Sequence, residues 1–154
     1  YLIDKGDFYD AEQYAQFILD SLKDPANGLD QQGEAVTRGY YHLEDVINCQ
    51  KGDYVKAEML VRELLRIRTR LHGAQHWLVG MSTGLLGSIL FAQNKLGSET
   101  KDLYERSLDI CYENCGPEGV NTAASYGKLG IFLSSCQTLK NFWNKKGAIV
   151  TIKI

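Results

Sequence analysis

Two stretches of this 154-residue chain are near copies of each other. Lys5-Gly6-Asp7-Phe8-Tyr9-Asp10-Ala11-Glu12 reads against Lys51-Gly52-Asp53-Tyr54-Val55-Lys56-Ala57-Glu58 at an offset of 46 residues, and six of the eight positions are identical or exchange one aromatic for another. A second series is stricter. Leu43, Leu86 and Leu129 are spaced 43 apart, as are Val46, Ile89 and Phe132, and Ile47, Leu90 and Leu133. Gly73 pairs with Gly116, Gly84 with Gly127, Gly87 with Gly130 and Ile67 with Ile110 at the same spacing. Repetition at this period constrains the fold more than composition does. Each unit is one supersecondary element that cannot bury its apolar face alone, so neighbouring copies must stack. The longer first step predicts about three extra residues in the loop over 24–32, a cluster of Pro, Asn, Gly and Asp.

Each unit carries two helical patterns. Tyr54, Ala57, Val61, Leu64, Leu65 and Ile67 recur at three- and four-residue steps, which predicts a helix over 54–72. Leu78, Met81, Leu85, Leu86, Ile89 and Leu90 predict another over 76–93. Equivalent patterns over 99–114, 121–135, 9–23 and 33–50 bring the total to about six helices. Gly73 and Gly116 stand where a helix end needs positive φ. Gly87 and Gly130 fall on the apolar side, where a glycine costing about 1 kcal/mol against alanine implies close helix contact. Glu44 holds that place in the first copy, so a looser crossing is expected there. The expected fold class is all-α, an α-solenoid of helix hairpins over 1–135. Since Tyr1 falls mid-pattern, the array reads as a fragment of a longer one. The register fails after Ser135, so 136–154 is expected to be a non-repeat tail, either disordered or capping, with 148–154 favouring a strand.

Seventeen basic and nineteen acidic residues leave a net charge of -2, which argues against nucleic acid or an anionic membrane as partner. No apolar run reaches 18 residues, so no membrane span is expected, and a cytoplasmic location is. Two prolines, Pro25 and Pro117, suit long helices. Cys49, Cys111, Cys115 and Cys136 form no CxxC pair; the expectation is half-buried free thiols and no metal.

Leu86-Gly87-x-x-Leu90 and Leu129-Gly130-x-x-Leu133 resemble the first half of the tetratricopeptide pattern, and Gly52-Asp53-Tyr54-Val55-Lys56-Ala57-Glu58 resembles its second half. The period is closest to the roughly 42-residue variant found in kinesin light chains. Gly73-Ala74-Gln75-His76 matches most of that variant's Gly-x-x-His-Pro segment, with Trp77 in place of proline. The resemblance implies a right-handed superhelix whose concave groove, lined by the first helix of each hairpin, binds a peptide or a partner helix. Carried over by register, the groove positions are Arg38, Tyr41, His42, Asp45 and Asn48, then Met81, Ser88 and Phe91. That mixture of cation, aromatic, anion and amide suits a peptide-binding wall, and it equally fits a solvated helix face. The asparagines that grip peptide backbone in kinesin light chains are replaced by Tyr41-His42, Gly84-Leu85 and Gly127-Lys128.

Residue types suited to catalysis are present without a constellation that uses them. His76 reads as a turn residue at a helix start, and His72 as a cation at a helix C-terminus. Glu12, Glu58 and Glu63 read as solvated. Arg62, Arg66 and Arg70 form a stripe, with Arg68 nearby, that reads as an outer face or a seat for an acidic partner. No phosphate-binding glycine loop occurs. The expected function is a protein-binding scaffold with no catalytic residue, cofactor or metal. An architectural or oligomerising segment of a larger protein is the alternative.

Overall fold

A computed structural model describes residues 53–145 of the chain, for 142–145 the backbone alone, together with the separate positions Gln13, Gln16 and Asp20. The described residues are helical apart from short turns: α1 Tyr54–His72, α2 Trp77–Ala92, α3 Ser98–Cys115 and α4 Val120–Lys145. The expected helices over 9–23 and 33–50 lie outside the described residues, as does the strand reading of 148–154.

Helix α1 begins because the Asp53 carboxylate accepts hydrogen bonds from the amides of Val55 and Lys56, both at 3.2 Å, satisfying two donors the helix cannot pair itself. It ends at Gly73, whose φ of 87° is a region few residues other than glycine enter. Helix α2 begins at His76, whose Nδ1 accepts from the Leu78 amide at 3.2 Å. It ends at Asn94, which takes positive φ as asparagine tolerates, while the Lys95 amide donates back to the Leu90 carbonyl. Forty-three residues after the first turn, the backbone repeats itself. The Gly119 amide donates to the Gly116 carbonyl at 3.3 Å, as His76 does to Gly73. Gly116 has the φ of 75° that Gly73 leads one to expect. The repeat is therefore written in backbone geometry as well as in residue type.

Each helix packs on its neighbour in the chain, and α2 also meets α4. Helix α2 is apolar nearly all round, the signature of a helix enclosed by others. One side joins Ala57, Val61, Leu64 and Ile67 of α1 in a core with Leu85, Leu86 and Ile89. The other side approaches α3 across three small residues. A Cβ at Gly80, Gly84 or Gly87 would lie 2.8 Å from Ile110, 2.7 Å from Ser107 or 3.0 Å from Tyr104, so glycine alone permits this spacing. The close contact expected at Gly87 is thus present. At Gly130 it is not: that residue is exposed, and a Cβ there would meet nothing within 4 Å. No described helix lies on that side of α4.

The break in the repeat after Ser135 is not a break in the helix. Helix α4 runs on to Lys145, and Cys136 is buried beside Tyr104 and Phe132. Residues 131–146 contain neither glycine nor proline, so nothing stops the helix where earlier units turn. Among the described residues no helix is long and apolar enough to cross a membrane.

Candidate functional site

Of the eight groove positions expected from the sequence, Met81, Ser88 and Phe91 are described; Arg38, Tyr41, His42, Asp45 and Asn48 lie outside the described residues. The three occupy one side of α2, and all are half-buried. Each is partly engaged by its own fold. Met81 packs on the α1–α2 core. Ser88 donates to the Gly84 carbonyl at 3.1 Å and accepts from the Tyr104 hydroxyl at 3.4 Å. Phe91 stands edge-on to Phe132 with ring centres 6.0 Å apart. Contact surface therefore remains at these positions, but Ser88 has little free hydrogen-bonding capacity.

Reading 43 residues further places Ala124, Ile131 and Ser134 at the matching positions of α4, all exposed, with Ile131 at 62%. Lys128 extends across to α2, its Nζ 3.9 Å from where a Gly84 Cβ would stand. Ile131 thus stands at the α4 position that matches Ser88, and Lys128 reaches toward Gly84 of α2. The same spacing that revealed the repeat identifies them, though sequence reasoning had stopped the groove at α2.

Several polar residues that the sequence singled out are engaged within the fold, and some differ from expectation. Glu58 is not a solvated carboxylate. Its side chain is 14% exposed and accepts from Arg62, Gln93 and Lys95 at 2.7–2.9 Å, tying α1 to the α2–α3 turn. Burial pushes this carboxyl up, but the hydrogen bonds from Lys95, Gln93 and Arg62 outweigh it and hold the pKa at about 2. Arg62 also reaches Glu99 at 2.7 Å, and Arg66 pairs with Glu63, so two members of the arginine stripe are held by carboxylates of the chain itself. Arg68 is no surface charge: it is 2% exposed and donates to the Ser82 hydroxyl at 2.8 Å and the Leu78 carbonyl at 3.4 Å. The signal was available, since 57, 61, 64 and 68 continue one apolar face of α1.

His72 was expected to be a favourable cation. Burial first, then His76 and Arg68 nearby, favour its neutral form instead. Its ring stacks on His76 with centres 4.6 Å apart, and its Nε2 is buried without a hydrogen-bond partner. His76 itself is the N-cap of α2, the structural role its position implied. Cys111 and Cys136 are buried and Cys115 is exposed; all three are free thiols. Burial raises the Cys136 pKa, against a weaker opposing pull from Lys140, so the reactive thiolate is disfavoured. Among the described residues no group of three or more His, Cys, Asp or Glu side chains could hold a metal ion.

Comparison with protein-family models, with curated proteins and with solved structures finds no match to this chain.

Proposed function

We propose that the chain is a non-enzymatic scaffold for protein–protein interaction, in which a tetratricopeptide-like array of hairpins binds a peptide or a partner helix along its first-helix face. The observation carrying this reading is the pairing of α2 and α4: α2 carries half-buried Met81, Ser88 and Phe91, α4 carries exposed Ile131 at the position matching Ser88, and Lys128 reaches from α4 toward Gly84. An exposed aliphatic side chain beside half-buried apolar positions suits an extended peptide bearing an apolar anchor. By register, Arg38, Tyr41, His42, Asp45 and Asn48 extend the same wall. In this reading the repeats form a right-handed superhelix and the protein acts in the cytoplasm.

The test is peptide selection from a displayed library against the whole chain, with rebinding to Ile131→Asp and Tyr41→Ala. Selected peptides should share an apolar anchor and weaken on both variants. Selection that enriches nothing, or peptides indifferent to both substitutions, would sink the proposal. The architectural alternative is favoured by a separate observation: among the described residues nothing packs on the Gly127–Gly130 side of α4.

A further inference from the structure

The turn that joins α1 to α2 is built round two imidazoles. His72 is the last residue of α1 and His76 the N-cap of α2, and their rings stack with centres 4.6 Å apart. Nδ1 of His76 accepts from the Leu78 amide at 3.2 Å, and its carbonyl accepts from the amides of Val79 at 2.9 Å and Gly80 at 3.1 Å. Nε2 of His72 is buried with no hydrogen-bond partner, although Gly73, Ala74 and Gln75 beside it are exposed. Among the described residues, the charged or titratable groups that face His72 are Arg68 from α1 and His76 from the turn; α2 and α3 present none to it.

A turn of this shape does not need histidine. Forty-three residues on, Gly116 repeats the positive φ of Gly73, and the Ala123 amide donates to the Gly119 carbonyl at 2.9 Å as Gly80 does to His76. Cys115 and Gly119 stand there in place of the two imidazoles. What histidine adds is a dependence on the proton. The lone pair of His76 Nδ1 that accepts the Leu78 amide is the one a proton takes, and the protonated ring then turns a donor toward a donor. A proton on His72 charges a ring whose buried nitrogen has no acceptor, beside the Arg68 guanidinium. Burial first, then His76 and Arg68, accordingly lower the proton affinity of His72. Two cationic rings 4.6 Å apart would also repel. Every route of protonation thus acts against the same turn.

We propose that the stacked His72–His76 pair is a proton-operated latch on the α1–α2 turn: with both rings neutral it holds the first turn of α2 closed, and on protonation it releases residues 73–77 to solvent while the helices stay packed. The opening is bounded on both sides. Upstream, α1 is fixed by the burial of Leu64, Ile67 and Arg68. Downstream, Arg68 donates to the Ser82 hydroxyl and the Leu78 carbonyl, which pins α2 to α1 from Leu78 onward. Between these points the turn is tied to α3 by Asn114, which donates to the Gln75 carbonyl at 2.7 Å, an exposed bond open to exchange with water. The closed form is complete above the ordinary histidine range and is lost as the pH falls through it, so acid opens the turn. The latch does not depend on what the array binds.

The test is amide hydrogen exchange of the whole chain, followed residue by residue by nuclear magnetic resonance from about pH 7.5 to about pH 5 and expressed as protection, so that the intrinsic pH dependence of exchange is removed. Gly80 and Ala123 are matched probes, since their amides make the same bond in the two turns. Protection at Gly80 should fall about tenfold or more across this range, while Ala123 changes by less than about twofold. The double variant His72→Phe with His76→Asn puts an apolar ring in the first place and a capping oxygen in the second, takes no proton at either, and should hold Gly80 protection flat. A fall at Gly80 that persists in the double variant overturns the proposal. So does unchanged Gly80 protection in the parent chain, or an equal fall at Gly80 and Ala123, since the pair would then act on global stability alone. The two probes in the parent chain decide between these outcomes even where the double variant fails to fold.

Discussion

Arg68 shows how one buried charge joins two helices. Its guanidinium reaches from α1 to the Ser82 hydroxyl and the Leu78 carbonyl at the start of α2, so removing it takes the donor from the Ser82 hydroxyl and empties a buried volume, while the Leu78 carbonyl keeps its bond from Ser82. Arg68→Ala is expected to cost roughly 2–4 kcal/mol by guanidinium denaturation, while Arg70→Ala, two residues on and exposed, should change stability by less than about 0.5 kcal/mol. Glu58 and His72 give the chain two acid-sensitive steps. The Glu58 carboxyl is lowered from 4.5 to about 2 in the fold. Its contribution is therefore complete above pH 4.5 and lost as the pH falls toward 2. Exposure of Arg62 and Lys95 reduces the size to about 1–2 kcal/mol, and Glu58→Gln should flatten that part of the stability profile. His72 is a base with its pKa lowered below 6.5, so the unfolded chain takes the proton more readily. Its contribution is complete above pH 6.5 and lost below it. His72→Leu should remove the loss of stability between pH 7 and 5, as read by thermal melts across that range.

At the scale of the helix, identical residues at equivalent positions should respond with opposite sign. Gly87→Ala drives a methyl to 3.0 Å from the Tyr104 ring and is expected to destabilise by about 1–3 kcal/mol. Gly130→Ala adds the same methyl to open space in a helix interior and should stabilise by up to about 1 kcal/mol. Chemical denaturation of both variants checks the pair, and two changes of the same sign would mean that α2 and α4 do not differ in cover as described. The length of α4 follows from the same local chemistry. The equivalent helix α2 stops at Asn94, which takes positive φ; the matching position in α4 is Gln137, and no glycine or proline follows until Gly147, so the helix carries Cys136 into the α3–α4 contact and continues.

Across the described part of the molecule, α2 is the common partner: it packs on α1, α3 and α4. Leu86→Ala, at 1% exposure in its centre, should cost about 2–5 kcal/mol and destabilise all four helices together. Far-ultraviolet circular dichroism and Trp77 fluorescence should then report one coincident transition.

The repeat, the helical class, the α1 boundaries and the turn glycines were legible in the sequence, because 3.6-residue periodicity, caps and positive-φ glycines are local properties. Less legible was what each helix face meets. Gly87 and Gly130 are the same residue in the same pattern, yet one is pressed against Tyr104 and the other faces open space. Arg68 and Glu58 looked like surface charges until α2 and the α2–α3 turn closed over them. Of the expected groove, Met81, Ser88 and Phe91 fall on one side of α2 as the register required, and only packing showed how far Ser88 and Phe91 are already engaged. Sequence alone determined that these segments form helices and where the first three turn, since those choices depend on neighbours three or four residues away; α4 runs on to Lys145, past the end its repeat register implied. Tertiary structure decided which faces are spent and which are free, since burial depends on residues dozens of positions distant.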